Sequence, residues 1–501
     1  MDRSTADALG TTPSAPVLSD REIRSILVGI LLAMFLAALD QTIVATALPT
    51  IGRDLGDLEH LPWIVTVYLL TSTAVTPLYG KLADTYGRRI VLLVGIAIFL
   101  LGSVACALAP TMMTLVLARA LQGIGGGGLI ATGQTIIADL VPPKERAKYQ
   151  VYFAAVFMSS SLLGPVLGGV MAQHLHWSSI FWINLPLGAY AYWISSRSLK
   201  RLPRFERPHR LDLLGAALLV AATVSVLLAL SWGGLSYPWA STPILSLIGG
   251  SAALWGLFIW RMRRAPEPLI PRGVLANPVV RMGTLAACFG MGTYIGLTIY
   301  LPVYFETVRG LSASLSGLAL IPLMVGTVVG ATFSGRVMLY VKHYRRLPVV
   351  GLSVAIAATL ALALFADRLS ILAIETLLAV LSIGMGTLLP VTTVSVQNAV
   401  EPHEMGTATG TVNFFRSLGG AFLVAIFGAI VLGGAGLSGR ALSFETMAAE
   451  AARSGVDLSD VFRWMFAAAA LGFALALAFV SRMEERPLKG RDPNAPPAHA
   501  E

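Results

Sequence analysis

Cysteine is nearly absent from this chain. Cys106 and Cys288 are the only two in 501 residues, and both fall inside apolar runs, where they read as small buried side chains. That excludes a disulfide or cysteine-metal framework. Charge is scarce as well: 13% of residues are charged, against roughly 25% in soluble domains. There is no P-loop lysine motif, no nucleophile elbow and no pair of zinc histidines on one helix, so neither ATP use nor an enzyme constellation is visible. His174 and His176 flank a turn before Trp177 without an acid or cysteine beside them, which falls short of a metal site. What is plentiful is apolar surface, with 55% hydrophobic residues and a mean hydropathy of +0.74. No soluble core hides that much.

An apolar stretch of about 20 residues crosses a bilayer as a helix, because only a helix satisfies its backbone there. The chain reads as an all-α integral membrane protein with fourteen such stretches, near 26–48, 62–80, 90–109, 112–134, 148–171, 180–198, 212–232, 243–261, 279–302, 313–335, 347–366, 370–396, 406–433 and 461–481. Ala45-Thr46-Ala47 imitates a signal-cleavage site behind the first stretch, but the stretch is long, carries Asp40 and opens a polytopic series, so it reads as uncleaved. The first 20 residues and 487–501 are rich in Pro, Ala and polar residues and are expected to be disordered. The segment near 434–460 holds a mildly amphipathic piece, LSFETMAAEAARSGV, too short for a domain.

Orientation follows from the basic residues. With an even number of spans, the loops on the side of the two tails carry 28 of the 36 Lys and Arg, and the opposite side carries five: Arg53, Arg309, Arg368, Arg440 and Arg453. Both tails are therefore expected in the cytoplasm and the protein in the inner or plasma membrane. The bias also accounts for the net charge of +9 without a nucleic-acid partner.

The chain repeats itself at an offset of 259. IIADLVPPKERA (136–147) lies over SVQNAVEPHEMG (395–406), matching Val141 with Val400, Pro143 with Pro402 and Glu145 with Glu404, while Asp139 meets Asn398. Gly125 and Gly127 meet Gly384 and Gly386. The repeat suggests two six-span halves, 26–198 and 279–481, with two inserted spans and basic linkers in 199–278, an N-terminal tail 1–25 and a C-terminal tail 482–501. Parallel halves rocking about a midplane site is a transporter architecture.

Asp40 stands inside ILVGILLAMFLAALDQTIVATALP, where a carboxylate costs a few kcal/mol and by default marks function. At 1.5 Å per residue it lies ~21 Å from the inner end of its span, and Arg119 ~10 Å from the outer end of the fourth. In a core ~30 Å thick the two share a depth.

Five motifs now come into register. GKLADTYGRR (80–89) resembles the signature loop of the major facilitator superfamily, LVLARALQGIGGGG (115–128) its second motif, and LLGPVLGG (162–169) the motif associated with antiporters. LDQTIVATALP (39–49) and WIVTVYLL (63–70) are similar to the fourteen-span drug/proton antiporter branch. The resemblance implies a proton-coupled exporter of drugs or other amphipathic molecules, energised by the proton gradient and needing no cofactor. A dedicated metabolite, siderophore or organic-anion transporter of the same fold is the alternative, and a non-transporting sensor a weaker one. The resemblance also makes Asp40 and Arg119 neighbours across a cavity. Arg119 would then favour the carboxylate while desolvation opposes it, so that protonation couples to conformation. A static structural pair is the competing reading.

In the signature loop Gly80 and Gly87 permit a tight turn, Arg88 and Arg89 hold it on the basic side, and Asp84 is the lone acid. By resemblance Asp84 latches the cytoplasmic side shut near Gly406; a solvated charge cluster is the plainer reading. Gly164, Pro165, Gly168 and Gly169 allow a bend and close helix approach, and the span carrying Gly317, Gly326, Gly330 and Gly335 is an equally slim partner. Gln122, Arg416 and Glu306 are further candidates for substrate or coupling contacts, whereas Glu375 reads as interfacial. WSSIFWINLPLG (177–188) carries Ser178 where the family usually has arginine, which leaves that outer corner without its usual ion pair. Trp63, Tyr68, Tyr294 and Tyr300 read as core or lipid-facing. The partners implied are the bilayer, protons and a small amphipathic substrate. A periplasmic adaptor protein is not readable from the sequence.

Overall fold

A computed structural model describes residues 20–57, 60–201, 211–434 and 457–488. The tails and most of the 434–460 segment lie outside the described residues. All regular structure among the described residues is helical. The first group comprises α1 (Asp20–Leu55), α2 (Trp63–Tyr86), α3 (Arg88–Ala107), α4 (Met112–Gly126), α5 (Leu129–Leu140), α6 (Pro143–His174), α7 (Ser179–Trp182) and α8 (Asn184–Ser198). Then come α9 (Leu213–Trp232), α10 (Thr242–Arg264) and the short α11 (Arg272–Ala276). The last group comprises α12 (Pro278–Thr307), α13 (Ala313–Leu318), α14 (Ile321–Val337), α15 (Arg346–Phe365), α16 (Ile371–Gly386), α17 (Leu388–Ala399), α18 (Met405–Gly434) and α19 (Leu458–Arg482).

Twelve stretches among the described residues are helical, long and apolar enough to cross a membrane. The sequence reading of fourteen counts two more, α2 and α8. Thr66, Thr71, Ser72, Thr73 and Thr76 dilute the hydropathy of α2, and α8 is only 15 residues long. The apparent spans 112–134 and 370–396 are each two helices: α4 breaks into α5 at Gly127 and Gly128, and α16 into α17 at Thr387. The offset of 259 carries Leu129–Leu140 onto Leu388–Ala399, so the repeat seen in the sequence is a repeat of helix boundaries.

Lipid tails are as apolar as leucine, so helices associate where small residues let backbones approach. A Cβ on Gly125 would meet the Phe99 backbone and one on Gly102 the Gln122 backbone, which locks α3 against α4. Gly351 faces the Gly384 carbonyl across α15 and α16, and Gly292 faces Gly419 across α12 and α18. The buried apolar side chains fall into separate clusters: two within α1–α8 and a large one built mainly from α12–α19. A fourth joins α9 and α10 to α12, α17 and α18 through Phe258, Val280, Val396 and Phe414. Trp63 of α2 meets Trp232 of α9 edge-on at 5.5 Å.

One end of the bundle gathers basic residues and chain ends. There Ser25 bonds Ser198 at 2.7 Å, Arg89 donates to the Ser196 carbonyl, Arg345 donates to the Met483 carbonyl, and Asn277 donates to the Ala399 carbonyl. We call it the basic end and the other the far end.

Candidate functional site

Asp40 lies mid-helix on α1 and is fully buried. Its Oδ2 is 2.5 Å from Arg119 Nη1 on α4. Its Oδ1 accepts from Gln122 Nε2 at 2.8 Å and from Asn184 Nδ2, at the start of α8, at 3.3 Å. Gln122 sits three residues after Arg119, on the same face of α4, accepts from Arg119 Nη1 at 2.6 Å and donates to Ser103 Oγ of α3 at 2.8 Å. Arg119 Nε donates to the Ile64 carbonyl of α2 at 3.1 Å, and its guanidinium carbon lies 4.3 Å from the Tyr68 ring centroid. Five helices thus hold one carboxylate. Both its oxygens are satisfied, which offsets the desolvation of a charge pair with almost no water access. A single guanidinium nitrogen makes the ion pair rather than a two-pronged fork, so loss of that one contact leaves Oδ1 still held by two amides.

The signature loop builds a second constellation at the basic end. Gly87, at φ 89°, is the single residue between α2 and α3, and that left-handed backbone suits glycine. Asp84 Oδ1 accepts the Gly406 N–H at 2.9 Å, while Oδ2 accepts the Thr407 N–H at 2.7 Å and its hydroxyl at 2.8 Å. The carboxylate therefore caps the N-terminus of α18, where the helix dipole favours negative charge. Arg88 contacts Asp84 Oδ1 at 3.0 Å and Asp139 Oδ2 at 2.8 Å, and donates to the Pro402 carbonyl at 2.8 Å. Gly80 and Gly406 permit this approach, since a Cβ on either would strike the other's carbonyl.

A polar layer lies further in. Asn413 of α18 donates to Gln134 Oε1 of α5 at 2.8 Å, and Gln397 of α17 donates to the Gln134 carbonyl at 3.4 Å and to Thr409 Oγ1 at 3.3 Å. Among the described residues, the hydrogen bonds joining α1–α8 to α12–α19 all belong to this layer or to the Asp84–Arg88 cluster. The seam is closed at the basic end.

Gly164 and Gly168 face α1, not the helix carrying Gly326 and Gly330. A Cβ on Gly164 would meet Thr42 Oγ1, and one on Gly168 would meet Thr46 Oγ1 and the Ile43 carbonyl. Gly169 faces open space, and Pro165 sits within α6. The slim helix α14 does pack against α6, with Gly335 against Ala147 at the basic end, but through other glycines than the stripe: Gly326 and Gly330 face α16, and a Cβ on Gly317 would meet nothing. Gly168→Val is expected to cost about 1–3 kcal/mol by overpacking α1 against α6. The matched Gly169→Val should be neutral. Thermal unfolding of the two variants in detergent checks this, and equal melting temperatures would contradict the packing.

Arg416 lies on α18 and donates through Nη2 to Asn413 Oδ1. Glu306 stands near the far end of α12 and Glu375 four residues into α16; no ion pair to either is seen among the described residues. One of the two histidines, His176, gains in space the acid that the sequence does not show beside it. Asp54 accepts from Trp177 Nε1 at 2.5 Å and faces His176 Nε2 at 3.3 Å, around an open cavity of about 530 Å³. Ser178 bonds His176 Nδ1 at 2.9 Å. No group of three or more metal-type side chains occurs among the described residues.

Asn184, Ser103, Tyr68, Asp139, Gln134 and Gln397 belong to these constellations and were not singled out by sequence as site residues. Asn184 had a signal, standing two residues from the kink-prone Pro186 in the quoted WSSIFWINLPLG. Ser103 and Gln397 had none beyond being polar in an apolar run.

The profile of the Major Facilitator Superfamily matches residues 30–424. The multidrug transporter protein MdtP of Bacillus subtilis is 36% identical over 408 residues, covering 81% of this chain and 75% of that protein. Multidrug resistance protein 3 of the same organism is 34% identical, covering 81% and 79%. A crystal structure of a bacterial homologue of the iron transporter ferroportin in an outward-facing state superposes with a TM-score of 0.65, at 12% identity, over 93% of this chain and all of that one.

Proposed function

This chain belongs to the major facilitator superfamily, a family of membrane transporters rather than enzymes, and on that premise we propose that it is a proton-coupled antiporter exporting drugs or other amphipathic organic molecules by alternating access. The observation that carries the reading is Asp40, a fully buried carboxylate on a membrane helix, held by Arg119, Gln122 and Asn184. A proton arriving at Oδ2 takes the place of Arg119, and Arg119 keeps the Ile64 carbonyl and Gln122 as partners. Protonation then loosens α1 from α4 and leaves the buried Arg119 without its counter-ion, a cost that rearrangement relieves, which links proton uptake to rearrangement of the first helix set. The multidrug names of the relatives support an amphipathic cargo.

The proposal includes the topology. α2, at 24 residues about 36 Å long, and α7 with α8, together about 30 Å, complete fourteen crossings. They divide into halves at 26–198 and 279–481 around the inserted α9 and α10, with both tails in the cytoplasm and the protein in the plasma membrane. The basic end is then cytoplasmic, and the closed seam there corresponds to an outward-open arrangement with Asp84 as its latch. Proteoliposomes test the reading: export of a compound panel should rise severalfold when a proton gradient is imposed and fall to passive leak when it is collapsed. Equal flux of every exported compound in both conditions would refute antiport.

A further inference from the structure

Arg416 is the second cation at membrane depth, and unlike Arg119 it has no carboxylate among the described residues. It stands eleven residues into α18, roughly 16 Å from the basic end of that helix. A guanidinium carries five N–H donors. Protein groups among the described residues engage one side of it, through Nη2 to Asn413 Oδ1. An arginine at this depth without a counter-ion is costly and by default points to function.

The direction it faces follows from its helix. Thr409, Asn413 and Arg416 stand at i, i+4 and i+7, one stripe of α18. The first two meet Gln397 and Gln134 along the seam between the helix sets. Arg416 is the next member of that stripe and lies on the far-end side of the polar layer, with its side chain bonded back to Asn413. Its register therefore turns it toward the space between the two helix sets, on the far-end side of the seal. Among the described residues no carboxylate offsets it there: the acids of α12–α19, Glu306, Glu375 and Asp460, stand near helix ends.

We propose that Arg416 docks the anionic group, a carboxylate or sulfonate, of the organic molecule the protein carries. The inference rests on the transport reading for the amphipathic body of that molecule and adds its charge. Asn413 ties the subsite to the seal, since the amide that accepts from Arg416 donates to Gln134 across the seam. A ligand that draws Arg416 away from Asn413 frees that amide.

Two fluorescent probes of nearly the same aromatic skeleton test it, anilinonaphthalene sulfonate and neutral phenylnaphthylamine, titrated onto the full chain in nanodiscs with empty discs subtracted. The wild type should bind the sulfonate roughly 10 to 100-fold more tightly, the range of one charge-assisted contact. Arg416→Gln should erase that preference and leave the neutral probe unchanged. Arg416→Lys, which keeps the charge without the planar fork, should restore part of it. Equal affinity for both probes in the wild type would overturn the subsite, and so would parallel loss of both probes in Arg416→Gln with the Lys variant behaving as wild type for neither. The assay needs no gradient, so failure of antiport would show separately, as gradient-independent flux with the sulfonate preference intact. Conversely, gradient-driven export of tetraphenylphosphonium at the same rate in wild type and Arg416→Gln, with no sulfonate preference, would leave transport standing and remove the anion site.

Discussion

Asp40→Asn is expected to lower gradient-driven export by roughly 100-fold, near the upper range of a coupling free energy between two sites, while leaving a folded protein in the membrane. The asparagine oxygen can still accept from Arg119, and its neighbours Gln122 and Asn184 can reorient their amides around the new group. What disappears is the one carboxylate in the cluster. A buried arginine facing a neutral partner costs about 3–5 kcal/mol when its counter-ion is removed outright, so expression and monodispersity must be measured beside flux. The double variant Asp40→Asn/Arg119→Gln separates the two readings of the pair. If the pair is a static strut, removing both charges relieves the unpaired arginine and flux returns. If the pair is the proton site, stability returns and gradient-driven flux does not. Export by Asp40→Asn with wild-type rate and unchanged pH dependence would end the coupling proposal.

The Asp40 site was legible in the sequence to the extent that depth is legible. A fixed rise per residue converts Asp40 and Arg119 into equal heights, and two opposite charges at one height in hydrocarbon have few options but each other. The structure brings them to 2.5 Å. Ser103 and Gln397 were not legible, because a neutral polar residue in an apolar run satisfies itself on its own helix as readily as across to another. Helix number shows the same limit from the other side. α2 and α8 are polar or short enough to fall outside a hydropathy criterion, yet they supply the Ile64 carbonyl, the Tyr68 ring and the Asn184 amide that hold the charge pair.

Glycines tell a related story. Gly164 and Gly168, four apart, stripe one face of α6, and Gly169 falls off it. That periodicity is in the sequence. Which helix the stripe meets is not, since smallness permits any neighbour, and the partner is α1 rather than α14. The offset of 259 was more informative, because it reproduces the break between paired helices in each half. It also shows what was not repeated: Asp139 becomes Asn398 and Arg119 becomes Leu378, so the charged machinery of the first half has no double in the second.

That asymmetry makes the basic-end latch depend on one carboxylate, and its removal is the second large effect expected. Asp84 accepts two backbone N–H groups and a hydroxyl from the start of α18 and contacts Arg88, which reaches on to the Pro402 carbonyl. Hydrogen bonds to a charged group are worth about 1.5–3 kcal/mol each, and the helix dipole adds a few tenths to about 1 kcal/mol. Asp84→Ala forfeits all of them in the closed arrangement and few in an open one, where α18 has left. A differential of about 3 kcal/mol alters a two-state ratio roughly 150-fold. The seam at the basic end should therefore pass from closed to predominantly open. Spin labels at Tyr86→Cys and Glu401→Cys, in a chain whose native cysteines are replaced, flank that seam from exposed positions. Their distance distribution should gain a longer component in Asp84→Ala, together with loss of export, because a cycle that cannot shut one side cannot hold a gradient against its cargo. Asp84→Asn should fall between, keeping one acceptor oxygen but losing the second and the charge. An unchanged distance distribution in Asp84→Ala would mean that Gly80 and Gly406, through backbone contact alone, hold the seam, and that the carboxylate is a cap without a latch.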